Sequence, residues 1–289
     1  MNKVLWCLGA FCYDGISLLR AFFGGGFSLN GYEINHLAEI YDQYETETHD
    51  VEYLLAKIKE SGIQNVLEPF CGTGRILLPI AQTGCQITGL DGSDGMLKFL
   101  EEKAKQLSEQ TRSRITLKLA DVLKTDWPGG YDLVILGGNC FYELASVQEQ
   151  RHVIRAAYQA LKPGGALFTD GDCMDGLLDE SWCDIGVEGK AFPSGVCAHG
   201  VHLQGYCTTV AVDRENRIWK AHRRAELKYP DGRKEEAQWD VTVHPTSVTE
   251  MRTWIEGCGF EIREAFAGTE TRGALLPNSG RATFWAVKQ

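Results

Sequence analysis

The sequence predicts an α/β fold: a doubly wound, mostly parallel sheet that carries an antiparallel, β-rich insertion. Three observations lead there. From Tyr32 to Asp170, short apolar runs alternate with amphipathic stretches of about ten to fifteen residues, the pattern of βαβ units. One run, Tyr131–Gly137 (YDLVILG), is apolar without alternation, as a strand buried on both faces requires. Beyond Asp170 the runs alternate and are joined by turn signals such as Pro230-Asp231-Gly232, which marks an antiparallel meander.

The elements follow in order. Tyr32 to Tyr44 has the aromatic and apolar stripe of a helix. Asp50 is a candidate N-cap for a helix over Val51–Glu60, and Ser61-Gly62 supplies its stop. Asn65–Glu68 is a short buried strand and Arg75–Gln82 a helix. Gln86–Asp91 is the second strand, and Ser93 is placed to cap a helix over Gly95–Ser108. Ile115–Ala120 and Tyr131–Gly137 are the next strands. Gln148–Leu161 is a helix ended by Lys162-Pro163-Gly164-Gly165, and Ala166–Asp170 is the fifth strand. Val201–Val212, Ile218–Leu227 and Ala237–Val243 form the meander. Ser247-x-x-Glu250 is a capping box for a helix to Gly257, and Phe260–Phe266 and Ala282–Val287 are the last strands. One domain over 31–289 is expected, with 171–245 as an insertion standing over one end of the sheet.

Residues 1–30 are the odd part. They are apolar, but Asp14 and Arg20 interrupt them, and no small-residue cleavage site follows. They predict a loosely packed extension, or residues that precede the native start, with Gly24-Gly25-Gly26 as a hinge, rather than a signal peptide or a membrane span. The 289 residues carry a net charge of −10, which disfavours non-specific binding to nucleic acid. Ten cysteines are scattered with no C-x-x-C pair, so they read as reduced thiols of a cytoplasmic chain.

The chemistry is expected at VLEPFCGTGR, residues 66–75. In an open parallel sheet, ligands sit beyond the carboxyl ends of the strands, near the point where strand order reverses. Gly72 and Gly74 permit close backbone approach, and the helix that follows offers free N–H groups. Asp91, ending the second strand, suits a pair of ribose hydroxyls. Leu77 stands where a dinucleotide fingerprint needs its third glycine, so an adenosine-containing ligand other than NAD is indicated.

These residues resemble the motifs of class I S-adenosylmethionine-dependent methyltransferases, which have a Rossmann-like sheet. VLEPFCGTGR resembles their first motif, with Phe70 in place of the first glycine. GLDGSDGML, ADVLKTD, YDLVILGGN and LKPGGALF resemble the next four, in order, over residues 35–170. The resemblance implies S-adenosylmethionine as cofactor, held by Tyr41, Glu68, Gly72, Thr73, Gly74, Asp91, Gly92, Met96, Asp121, Val122 and Gly137. Asp91 would take the ribose, Met96 the adenine, Asp121 the adenine amino group and Glu68 the methionine amino group. Tyr41 and Tyr44 are placed to close the first helix as a lid.

Within that superfamily the sequence resembles glycine/sarcosine N-methyltransferases and N-methyltransferases of amino sugars. Gly137–Phe141 (GGNCF), Asp170–Asp175 (DGDCMD), the Tyr229–Gly232 hairpin and SGRATFWAV near the end carry the likeness. Where the glycine enzymes place an arginine for the substrate carboxylate, this chain has Asp172. That disfavours glycine and suits an amine. Asn139 and Asp172 are therefore the candidate catalytic residues, Asn139 orienting the nucleophile or the methionine moiety and Asp172 holding the amine and accepting its proton. The expected function is N-methylation of a small-molecule amine. O- or S-methylation of another metabolite is the alternative. Base methylation of nucleic acid is disfavoured, because GGNCFYEL has no N-P-P-Y; a SAM sensor without turnover is a further class. No nucleic-acid or membrane partner is expected, and homo-oligomerisation stays open. No metal is expected: Cys197-x-His199-x-x-His202 suits ordinary strand and loop positions, His222 and His244 suit packed or solvent-facing places on the meander rather than a general base, and Arg223-Arg224 a solvated face.

Overall fold

The computed structural model describes residues 35–174 and 180–289. Seven helices lie among them: α1 (Asn35–Tyr44), α2 (His49–Ser61), α3 (Leu77–Gln82), α4 (Asp94–Ala104), α5 (Glu109–Arg112), α6 (Val147–Ala160) and α7 (Val248–Gly257). Twelve strands accompany them: β1 (Asn65–Pro69), β2 (Gln86–Asp91), β3 (Ile115–Leu119), β4 (Tyr131–Leu136), β5 (Leu161–Asp172), β6 (Glu188–Val196), β7 (His202–Asp213), β8 (Ile218–Lys228), β9 (Lys234–Val243), β10 (Phe260–Ala267), β11 (Gly273–Ala274) and β12 (Arg281–Lys288). The expected extension over residues 1–30, its glycine hinge and the start of the first helix lie outside the described residues.

Eight strands form the main sheet in the order β11-β10-β12-β5-β4-β1-β2-β3. β1 to β5 run parallel, and β12 enters antiparallel between β5 and β10. The order reverses between β1 and β4, so the loops after these two strands open at the switch point. The apolar run of β4 is explained by its two faces. Leu133 and Ile135 pack with α2, α3 and α4, while Val134 and Leu136 pack with α6 and α7. Successive side chains of a strand point to opposite faces, and here both faces are core.

The second sheet, β6-β7-β8-β9, is an antiparallel meander within the expected insertion. The sequence reading missed β6, because Gly189, Pro193 and Gly195 are poor strand residues. β6 is an edge strand with a bulge between Ala191 and Ser194, the place where proline is tolerated. Helix α1 packs on this sheet: Leu37, Ile40 and Tyr41 share a cluster with Phe192, Trp219 and Trp239.

Three local expectations are corrected. Asp50 is not the N-cap of α2: Thr48 stands there, and Asp50 lies buried inside the first turn, bonded to Arg75. Lys162–Gly165 does not separate helix from strand. β5 starts at Leu161, and a register shift between Tyr131 and Leu133 absorbs the glycines. Arg223-Arg224 is not one solvated face. On a strand consecutive residues point oppositely, so Arg223 is buried, whereas Arg224 pairs with Glu188 and Glu226 outside. Gly62, by contrast, ends α2 in the left-handed conformation at φ 64°. Ser93, Ser146 and Ser247 each cap a helix, the last with its full capping box.

Candidate active site

The loop after β1 turns sharply. Phe70, Gly72 and Gly74 all have positive φ, at 64°, 50° and 79°. At Gly74 a Cβ would stand 2.2 Å from Leu100 Cδ1 of α4, so another residue would have to displace that buried side chain and adopt a φ that side chains resist. Phe70 adopts the same left-handed region despite its side chain. Its ring is buried in the core beside α6 and α7, and that burial offsets a backbone cost of about 1–2 kcal/mol.

Asp91 ends β2 and is buried. Its Oδ2 accepts the Gly72 N–H at 2.8 Å and its Oδ1 the Ser93 N–H at 2.8 Å. The carboxylate thus ties the glycine loop to the tip of β2, and each oxygen keeps a lone pair for a further donor. Burial pushes its acid up to about 6, against the amides of Ser93, Gly72 and Gly92. Glu68, at the end of β1, is also buried, and its Oε2 has no hydrogen-bond partner. Burial pushes the Glu68 acid well above the usual range, and Arg75 pulls it back only in part. A buried carboxylate oxygen without a donor is costly unless a ligand supplies one.

Tyr41, Glu68, Thr73, Arg75 and Gly137 line one small pocket. Helix α1 closes it from above and is tied down on both sides. Asp42 Oδ1 accepts the Thr73 hydroxyl at 2.8 Å and Lys103 Nζ at 2.6 Å. Tyr44 Oη donates to the Ser194 carbonyl at 2.6 Å. Tyr41 is buried edge-on to Phe192, whereas Tyr44 is half exposed and turned to the insertion rather than into this pocket. Arg75 Nη1 and Nη2 grip Asp50 at 2.7 and 2.6 Å, and Nη1 also reaches the Glu47 carbonyl, which fixes the link between α1 and α2.

The other expected cofactor residues fall around the same strand ends. Gly92 follows Asp91, and Met96 lies buried in α4, its N–H donated to Ser93 Oγ. Val122 is buried in the loop after β3. Asp121 turns onto its own loop, accepting the Leu123 N–H at 3.0 Å and pairing with Lys124 at 2.7 Å. Gly137 packs against Ile76, where a Cβ would approach to 2.9 Å.

Asn139 and Asp172 meet directly. The Asp172 N–H donates to Asn139 Oδ1 at 2.7 Å, and Asn139 Nδ2 donates to Asp172 Oδ2 at 3.1 Å. Gly171 allows this closeness, since a Cβ there would lie 3.3 Å from Asn139 Oδ1. Both residues line a second pocket with Phe141, Tyr142, Cys173 and Thr246, on the other side of the Gly137–Asn139 turn. Asp172 also faces Arg281 Nη1 at 2.9 Å. Sequence reasoning missed Arg281, Asp42 and Lys103, because each partner stands far away in the chain and no local spacing announces it.

His244 is buried against Gln150, and His222 pairs with Asp240. Cys197 meets His36 of α1 at 3.3 Å, and its group with possible ligand atoms is His36, Glu39 and Cys197, not His199 or His202. The eight described cysteines form no disulfide. Among the described residues no helix is long and apolar enough to cross a membrane.

Residues 67–167 match the family model of a methyltransferase domain. Human glycine N-methyltransferase is 29% identical over 163 residues, 51% of this chain and 55% of that protein. The glycine/sarcosine N-methyltransferase of Halorhodospira halochloris is 28% identical over 135 residues, 45% of this chain and 48% of its own. The chain therefore spans about half the length of these curated relatives. Among solved structures, the CcbJ methyltransferase of Streptomyces caelestis superposes with a TM-score of 0.62 at 20% identity, covering 83% of this chain and 94% of that one. The sugar N-methyltransferase KedS8 of Streptoalloteichus sp. gives 0.62 at 18%, covering 92% and 96%. At such identity these two speak for the fold. The domain match and the superpositions together support a methyltransferase domain over residues 67–167 on the fold these structures share.

Proposed function

We propose that this protein methylates the nitrogen of a small-molecule amine, with S-adenosylmethionine as methyl donor. The observation that carries the reading is the pairing of two sites across the Gly137–Asn139 turn. On one side lie the glycine loop, Asp91 and the donor-less Glu68; on the other lies the carboxylate of Asp172 beside Asn139. The names of the relatives, glycine and sugar N-methyltransferases, support a nitrogen acceptor.

The residues present fit the cofactor. Glu68 Oε2 lacks the donor that the methionine ammonium would supply. Asp91 keeps a lone pair on each oxygen for the ribose hydroxyls, and the left-handed glycines bring the backbone close. When bound, the cofactor supplies an electrophilic methyl group on sulfonium. The protein's work is to bind, orient and exclude water. Tyr41 and α1 cover the methionine end, held by the Asp42 to Thr73 bond. Asn139 keeps Asp172 turned towards the acceptor pocket, where its carboxylate holds an ammonium group and takes its proton at an Oδ atom. That leaves a neutral amine with a free lone pair.

Calorimetric titration with S-adenosylmethionine and S-adenosylhomocysteine comes first. A panel of amines, amino sugars and hydroxylated metabolites is then screened for release of S-adenosylhomocysteine. Turnover confined to amines supports the reading; turnover confined to hydroxyl or thiol acceptors overturns the nitrogen assignment. Absence of cofactor binding overturns the whole.

A further inference from the structure

The Asp170, Arg281 and Asp172 cluster was not foreseen, and it says more about the acceptor end than Asp172 alone. β12 runs antiparallel beside β5, with Arg281 opposite Asp172 and Thr283 opposite Asp170. The guanidinium therefore bridges two carboxylates two residues apart. Its Nε reaches Asp170 Oδ2 at 3.1 Å, its Nη2 bonds the same oxygen, and its Nη1 reaches Asp172 Oδ1 at 2.9 Å. The two acids are not equivalent. Asp170 is fully buried and also accepts the Thr283 hydroxyl, so its charge is spent on the arginine. The Asp172 side chain stays 29% exposed at the pocket, with one oxygen on Arg281 and the other on Asn139 Nδ2.

We propose that Arg281 is a positioning residue, which holds the Asp172 carboxylate as the receiver of the acceptor's ammonium group. This rests on the amine reading above. Two carboxylates and one guanidinium leave a net charge of −1, so the cluster attracts a cation and repels an anionic acceptor. Asp170 anchors the arginine, and the arginine aims and charges Asp172. The groups facing Asp172 are Arg281 from β12, Asp170 from its own strand and neutral Asn139 from the β4 loop; Asp50 of α2 acts on Arg281 from further off. Burial raises the Asp172 acid and Arg281 lowers it, so removal of the guanidinium leaves burial and Asp170 opposed only by the Asn139 hydrogen bond.

The test follows the carboxyl carbon of Asp172 by NMR in protein labelled with 13C-aspartate, assigned with Asp172→Asn. In Arg281→Met the titration midpoint of Asp172 is expected to rise by about one pH unit or more, and Arg281→Lys to restore most of the difference. A midpoint that does not move overturns the proposal, as does an equal shift in the lysine variant. Circular dichroism and S-adenosylmethionine calorimetry report folding, since Arg281 lies outside the cofactor pocket. Should Arg281→Met not fold, Arg281→Gln keeps a polar side chain and the same readout applies. The titration needs no acceptor. A shift without turnover on any amine therefore sinks the function reading alone, while turnover on an amine with no shift sinks only the role of Arg281.

Discussion

Replacing Asp91 tests the cofactor site at its centre. The carboxylate holds two buried backbone amides, those of Gly72 and Ser93, each at 2.8 Å. On the proposed placement of the cofactor, it would also offer its remaining lone pairs to two ribose hydroxyls. Each hydrogen bond to a charged group contributes about 1.5–3 kcal/mol, so loss of two such ligand contacts costs roughly 3–6 kcal/mol of binding. That is a loss of about two to four powers of ten in affinity for S-adenosylmethionine in Asp91→Ala. Stability falls as well, since two buried N–H groups lose their acceptor at about 1–3 kcal/mol each. Asp91→Asn separates the effects. It keeps one acceptor oxygen, and its NH2 faces one of the two amides, so about half of the binding loss is expected. Isothermal calorimetry with both S-adenosyl ligands gives the affinities, and circular dichroism checks that each variant is folded. A folded Asp91→Asn or Asp91→Ala that binds within about threefold of the parent would refute the placement of the ribose, and with it the assignment of the loop.

The pH dependence follows from the same residue. Asp91 titrates at about 6 in the folded chain against 3.8 ordinarily, so the folded state holds the proton more tightly than the unfolded one. Its contribution to stability falls as pH rises from about 4 to about 6, by roughly 3 kcal/mol, and is level beyond. Cofactor affinity, which needs the ionised carboxylate, is expected to rise over that window; denaturant melts and calorimetry across pH check both, and Asp91→Asn should flatten them. Gly74→Ala is expected to lose about 1–3 kcal/mol of stability and most cofactor binding, since the new Cβ meets Leu100 at 2.2 Å with φ at 79°; an unchanged melt would count against the loop geometry. Thr73→Val removes the hydroxyl that ties α1 down through Asp42, and is expected to weaken cofactor binding about three- to tenfold with little change in melting, read by calorimetry and thermal melts. Phe168→Ala, at a fully buried ring on β5, is expected to cost about 3–5 kcal/mol in denaturant unfolding.

Much of this architecture was legible because its signals are local. A strand buried on both faces leaves a continuous apolar run, and serine caps precede their helices by fixed offsets, as at Ser93 and Ser247. The glycine loop and Asp91 could be placed because strand ends and helix starts imply where a ligand sits. What escaped was set by tertiary pairing. Asp50 resembles an N-cap in the chain, but Arg75 draws it into the interior of α2, leaving Thr48 at the cap position. β6 hides behind Pro193 and two glycines, which only an edge position permits. Arg223 and Arg224 look like one patch until the strand period sends them to opposite faces.

The acceptor end shows why a single aligned position is a weak basis for specificity. By resemblance, an acid at Asp172 stands where related enzymes place an arginine, and the simple reading is a reversed charge. The structure returns an arginine to the neighbourhood from another strand, since the β5 to β12 register puts Arg281 opposite Asp172. Yet the reversal survives, because Asp170 takes the larger part of that guanidinium through Nε and Nη2. The site charge is a property of three residues on two strands. An Arg281 opposed by Asp172 alone would leave the cluster neutral and the preference for a cation would vanish. On the proposed amine reading, it is buried Asp170, its side chain fully enclosed, that leaves the cluster with a net negative charge.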